Sequence, residues 1–320
     1  MMSTTPQAAL VLDAAAVQAV LPNVDTLGAM RALFSELGQG QAVQPAQTLT
    51  LFPEDKGDFI TYQGASTGAN LFGAKLSPYL VQPGKPIITA WTVLMSMETG
   101  QPLMLCDSGE LTTERTAGTT ALAVDHLAKD GAKTLAIIGS GKVAQAHLRH
   151  TAALRDWAEI RVFSPSLAEN AELKATWQAL DERVRFADSA AAAGTDADVV
   201  MLCTSSGTPV FDTTSVAAGA LVTSISTNVA NAHEVDPAFL SAAEVYCDYR
   251  ETTPSSAGEM KLAAEAGWQA DAICGDLAQL QTAACARPTG EKPVFFRSIG
   301  LGLEDIFMAR AVYDAAKAQG

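Results

Sequence analysis

Thr134-Leu135-Ala136-Ile137-Ile138-Gly139-Ser140-Gly141-Lys142-Val143-Ala144 is the stretch on which the fold turns. TLAII has the length and apolar character of a buried strand, and KVAQAHLRHTAAL continues with helical spacing. Between them lies Gly-x-Gly-x-x-Ala, and each small residue has a physical task. Gly139 permits a tight turn, Gly141 lets a pyrophosphate approach the backbone, and Ala144 allows the helix to pack closely on the strand. Phosphates then face the free N–H groups and the positive end of the helix starting near Lys142. The motif therefore predicts a dinucleotide site contributed by Gly139, Ser140, Gly141, Lys142 and Val143.

Outward from this motif the grammar is strand, helix, strand, helix: EIRVFS, SLAENAELKATWQAL, VRFA, a short alanine-rich helix in SAAAAGTDAD, then DVVMLCTSS and ALVTSIST. Such alternation implies parallel strands joined by crossover helices, a Rossmann-type doubly wound α/β sheet. The second strand ends Arg161-Val162-Phe163-Ser164-Pro165-Ser166. A site selecting NAD places an acid here for the ribose 2′-hydroxyl. Without one, and with Ser164 and Ser166 able to donate to a 2′-phosphate, NADP(H) is favoured and NAD(H) is the alternative. Cys203-Thr204-Ser205-Ser206-Gly207 forms a polar turn at a strand's C-terminal end, where ligands of open α/β sheets collect. Thr204, Ser205 and Ser226, the last in ALVTSIST, complete the candidate cofactor contacts.

The N-terminal third reads differently. Asp13 and Asp25 cap two short helical patterns, the second closed by Gly38 and Gly40. From Thr48 to Asp107 short β-type runs follow (TLTLF, DFITYQG, ANLFGAKL, PIITAWTVLMSM, PLMLCD), separated by turn-forming segments. They predict an antiparallel sheet. LTTERTAGTTALAVDHLAKDG then reads as a helix, and a last amphipathic helix is expected from Leu303 to Ala316.

Net charge −14 over 320 residues argues against an extended nucleic-acid surface, since that binding draws its affinity from clustered Lys and Arg. No run reaches the roughly 18 uninterrupted apolar residues of a membrane span, and no basic segment precedes the first apolar stretch, so a cytoplasmic protein is expected. The five cysteines are widely spaced, form no metal-binding cluster and read as buried thiols. His126, His147, His150 and His233 read as packing or surface residues, and Trp91 as an aromatic of a core strand, with a place on the substrate cavity wall as the alternative.

Taken together, GAKLS around Lys75, TGQPLMLCDSGELTTERTAG around Arg115, AIIGSGKVAQAHL, CTSSGTPVFD, HEVD and SIGLGLEDIFMA resemble the ornithine cyclodeaminase/μ-crystallin family over nearly the whole chain. The resemblance implies an α+β substrate and dimerisation domain from residues 1–115 and 304–320, and a Rossmann domain from 116–303. It implies a homodimer, a substrate carboxylate held by Arg115, Lys75 beside the reacting carbon, and Thr116 near the cofactor phosphates. A guanidinium fork suits bidentate carboxylate contact.

Two departures bear on the chemistry. Where family cyclodeaminases carry arginine in a PxR motif, this chain has Pro45-Ala46-Gln47, and Gln47 brings hydrogen bonds without charge. Their aspartate six residues before the glutamate matching Glu234 falls at Asn228, which cannot titrate. Cyclodeamination is disfavoured. The expectation is NAD(P)H-dependent reduction of a small 2-imino acid, cyclic as in Δ1-pyrroline-2-carboxylate or Δ1-piperideine-2-carboxylate, to an L-amino acid. Lys75 or a water supplies the proton, Arg115 is the anchor and Asn228 orients the nitrogen. The alternatives are a cyclodeaminase or amino-acid dehydrogenase with bound NAD, and a cofactor-dependent small-ligand binding protein.

Overall fold

The structure is a computed structural model that describes residues 8–226 and 231–319. The chain divides into two compact units, one of the described residues up to Arg115 together with those from Gly300 onward, the other Thr116–Ile299. The second boundary thus lies four residues before 303/304. Gly300 and Gly302 pack with the first unit: a Cβ on Gly300 would sit 2.3 Å from Arg115 Nη1, and one on Gly302 2.4 Å from the Gln63 carbonyl oxygen.

In the second unit eight strands form one sheet whose pairings are all parallel. Its order is Val184–Phe186, Glu159–Phe163, Thr134–Ile138, Val199–Leu202, Leu221–Ser224, Val294–Arg297, Glu244–Cys247, Ile273–Asp276. The central strands are buried almost throughout, as strands covered on both faces must be. The order reverses at Thr134–Ile138, whose C-terminal end opens on the glycine turn, and that reversal opens a crevice. The last three strands in chain order were not legible as strands, because their short runs lie among short helices and turns without a regular strand–helix alternation to mark them.

The first unit holds a second eight-stranded sheet in which Gly57–Ser66 and Leu71–Leu80 pair antiparallel along their full length. The expected run PIITAWTVLMSM is two strands, Ile87–Ile88 and Trp91–Ser96. Leu10–Leu12 adds an unexpected strand, parallel to Pro102–Asp107. Asp13 and Asp25 cap Ala14–Val20 and Thr26–Gly38, their carboxylates accepting from Ala16 N and Gly28 N at 2.9 Å. Side chains alternate across this sheet: Tyr62, Lys75, Thr92 and Cys106 form one buried cross-strand row. The opposite face carries Val11, Leu76, Trp91 and Leu105 in the open. Trp91, 36% exposed, is therefore not a core aromatic.

The terminal helix Gly302–Gln319 begins earlier and ends later than expected, and it is not amphipathic at its start. Gly302 through Ala309 are all buried, Glu304 and Asp305 among them. Three cysteines are buried, but Cys274 is exposed, on the edge strand Ile273–Asp276, and Cys285 is half-buried. No helix among the described residues is long and apolar enough to cross a membrane.

Candidate active site

In the second unit a cavity of about 1020 Å³ opens at the glycine turn. Gly139, Ser140, Gly141, Lys142, Val143, Ser164, Ser166, Thr204, Ser205 and Ser226 all line it. Gly139 has φ +127°, and a Cβ there would lie 2.3 Å from the Cys203 carbonyl oxygen, so only glycine fits. At Gly141 the same test finds open space within 4 Å. This residue is the N-cap of Lys142–Thr151 and has no side chain to cap the helix, so the positive end of the helix borders the cavity. Ala144 is fully buried where the helix meets the sheet. The open cradle at Gly141, the helix N-terminus beside it and the cavity volume fit a dinucleotide.

Beyond the second strand, Ser166 Oγ lies 2.7 Å from Ser140 Oγ and 2.9 Å from Ser164 Oγ, making a chain of three hydroxyls. No carboxylate lines this cavity among the described residues. Thr204, on the cavity wall, also holds its own turn. Its hydroxyl donates to Glu234 Oε1 at 2.7 Å and accepts from Ser206 N at 3.1 Å. Thr116, half-buried in Gly109–Leu127, is not part of the cavity lining. His147 is buried within 3.0 Å of Thr120 Oγ1, in keeping with a packing role. Asn228 lies outside the described residues.

The first unit carries a separate constellation. Lys75 is 1% exposed; its Nζ donates to Asp305 Oδ1 at 3.0 Å and to Thr112 Oγ1 at 3.3 Å, and lies 4.2 Å from the Tyr62 ring centroid. Arg115 is 5% exposed, with Nε 3.1 Å from Asp305 Oδ1 and Nη1 2.8 Å from Glu304 Oε2. Asp305 thus bridges the two cations.

Burial lowers the Lys75 pKa from 10.5 to about 8, the Arg115 charge adding to the effect and Asp305 opposing it. Burial also works against the Arg115 charge, but Asp305 and Glu304 outweigh it and hold the guanidinium further above its ordinary range. The outcome is an always-charged fork beside an amine that exchanges its proton near neutrality. Gln47 is half-buried, one residue before Thr48, which pairs with Thr61; this places it next to Tyr62. Its Oε1 is buried without a hydrogen-bond partner among the described residues.

Sequence reading singled out Lys75 and Arg115 but missed Glu304, Asp305 and Glu234. Adjacent acids in an otherwise apolar segment, GLGLEDIFMA, were the available signal, since burying charge without partners is costly.

Comparison with known proteins agrees with this architecture. The chain is 52% identical over 314 residues, 98% of either chain, to the NAD(P)H-dependent anabolic L-arginine dehydrogenase DauB of Pseudomonas aeruginosa. It is 28% identical over 226 residues to a Δ1-pyrroline-2-carboxylate reductase of Colwellia psychrerythraea, covering 69% of this chain and 72% of that one. The crystal structure of a probable ornithine cyclodeaminase from Bordetella pertussis Tohama I superposes with a TM-score of 0.85 at 29% identity, covering 98% of each chain. The family model for ornithine cyclodeaminase/mu-crystallin matches residues 7–320, and the chain belongs to that family.

Proposed function

We propose that the protein is an NAD(P)-dependent oxidoreductase that reduces a 2-imino acid to the L-2-amino acid. The observation that carries this reading is the buried pair of cations bridged by Asp305, one permanently charged and one with a pKa of about 8. Two of the five Arg115 N–H donors go to Asp305 and Glu304, and the rest of the fork anchors the substrate carboxylate. Lys75, as an ammonium, gives its proton to the imine nitrogen when the C=N π pair moves onto it; it is left a neutral amine, and Asp305 favours its regaining a proton from solvent for the next turnover. A bound nicotinamide supplies the hydride to the imine carbon. Run backward, the same residues serve an amino-acid dehydrogenase.

The 52% relative acts, by its name, on L-arginine, which favours an open-chain imine bearing a guanidino group, formed from its 2-oxo acid and ammonia. Gln47 supports this choice: its unpartnered oxygen can accept from a cationic side chain that an arginine would repel. Cyclic imines are the second reading, favoured by the reductases at lower identity. The Ser140–Ser166–Ser164 hydroxyls, with no carboxylate in the cavity lining, favour NADP(H) over NAD(H).

The test is consumption of NADPH and NADH with the arginine-derived 2-oxo acid plus ammonia, with both cyclic imines, and with ornithine for ammonia release. No oxidation of either cofactor with any imine overturns the proposal. Ammonia from ornithine without net change in cofactor absorbance assigns a cyclodeaminase instead. Arg115→Lys is expected to raise KM about 100-fold with a smaller change in kcat, because a point charge replaces the bidentate fork. Steady-state kinetics with unchanged KM would remove Arg115 from the anchor role.

A homodimer and a cytoplasmic location, where the NAD(P)H pool lies, belong to the same proposal. The dimer is supported by the sheet face of the first unit on which Val11, Leu76, Trp91 and Leu105 are 36% or more exposed. Such contiguous apolar surface marks an interface. Sedimentation at the mass of one chain would contradict the dimer.

A further inference from the structure

We propose that Glu234 is a positioning residue that fixes the part of the cavity receiving the nicotinamide half of the cofactor; this rests on the dinucleotide reading above. Glu234 is fully buried and is not itself among the residues that line the cavity at the glycine turn. Its Oε1 accepts from Thr204 N at 2.8 Å and Thr204 Oγ1 at 2.7 Å. Its Oε2 accepts from Ser224 Oγ at 2.7 Å and Ser226 N at 2.9 Å. Its backbone carbonyl accepts from Val210 N at 3.0 Å. Three of these partners, Thr204, Val210 and Ser226, line the cavity.

The placement explains why one carboxylate takes the four contacts from Thr204, Ser224 and Ser226. Val199–Leu202 and Leu221–Ser224 are neighbours in register, Leu202 beside Ser224, and the chain leaves both strands at the same sheet edge. Two turns that diverge from adjacent strand ends have N–H groups with no ladder partner, and a buried carboxylate with four lone-pair sites satisfies them together. Ser226 has φ +48°, a left-handed conformation that a serine keeps only when its surroundings hold it, and the Glu234 bond to its N–H does so.

The turn also has a direction with respect to the ligand. The adenosine half of a dinucleotide sits at the second strand of such a sheet, here the Ser164–Ser166 end, and the pyrophosphate at the glycine turn. Thr204 and Ser226 lie across the Thr134–Ile138 strand from that end, so the nicotinamide half falls to the walls that Glu234 holds.

The test compares the whole cofactor with its adenosine half. In Glu234→Gln one acceptor becomes an NH2 group facing N–H and O–H donors, so one turn is released. NADPH, followed by ligand fluorescence, is expected to bind about tenfold more weakly, while 2′,5′-ADP binds within about twofold of wild type. Ser224→Ala, which removes a single donor, is expected to shift NADPH about threefold in the same direction and decides the matter if E234Q does not fold. Unchanged NADPH affinity in these variants overturns the proposal. So does a parallel loss of both ligands with a lowered melting temperature, which marks a purely structural residue. A wild-type protein that binds neither NADPH nor NADH removes the dinucleotide reading and this inference with it; one that binds only NADH is tested in the same way with NADH against 5′-ADP.

Discussion

Replacing Lys75 by methionine is expected to lower kcat for imine reduction by about 10³, within the range that a positioned proton donor contributes. Methionine keeps the length and apolar stem of the side chain, so the buried row of Tyr62, Lys75, Thr92 and Cys106 stays filled. What disappears is the ammonium. Asp305 then faces Arg115 alone, and removing one partner from a buried ion pair costs about 3 kcal/mol, visible as a lowered Tm.

The pH profile separates chemistry from stability. Because burial brings the Lys75 pKa down to about 8, its protonated fraction falls as pH rises through that value. The wild-type kcat/KM for reduction is therefore expected to decline about tenfold per unit above pH 8. Lys75→Met should lose that limb. A variant that kept the same alkaline decline would assign it to another group.

The second large effect separates two glycines that look equivalent in the motif. Gly139→Ala puts a Cβ 2.3 Å from the Cys203 carbonyl oxygen at φ +127°, and neither backbone can give way without parting the strand ends. The strain is about 3 kcal/mol. Both Tm and NADPH binding should fall, the latter beyond about 100-fold. Gly141→Val has open space around its Cβ and an ordinary φ of −72°, so the fold should persist with nearly unchanged Tm. The side chain fills the space through which a pyrophosphate reaches the helix N-terminus, and binding should be lost all the same. Calorimetric titration and thermal melting of both variants check the contrast. A Gly141→Val protein that binds NADPH normally would show that the phosphates lie elsewhere.

Much of this was legible locally. The strand–glycine–helix order around Gly139, the capping aspartates Asp13 and Asp25, and the alternation of strand and helix all follow from interactions within a few residues. Short-range chemistry writes itself into short stretches of sequence. The strands Glu244–Cys247, Ile273–Asp276 and Val294–Arg297 escaped because no regular alternation with helices marks them locally and their pairing is with neighbours far along the chain. Trp91 read as core because alternation gives two faces without saying which one is covered. Cys274 escaped for the same reason.

The sequence by itself pointed to the dinucleotide cradle, since the strand, the glycine turn and the helix start lie within a few residues of one another. It also nominated Lys75 and Arg115 as cations of interest. Only the tertiary structure decided what those cations are. Asp305, 230 residues from Lys75, joins them and tunes the amine. Glu234, 30 residues from Thr204, gathers two turns that the chain itself keeps apart. A pKa or a cavity wall depends on the distance between charges and donors in space, and in this chain those distances are set by sheet register and by the burial of the terminal helix.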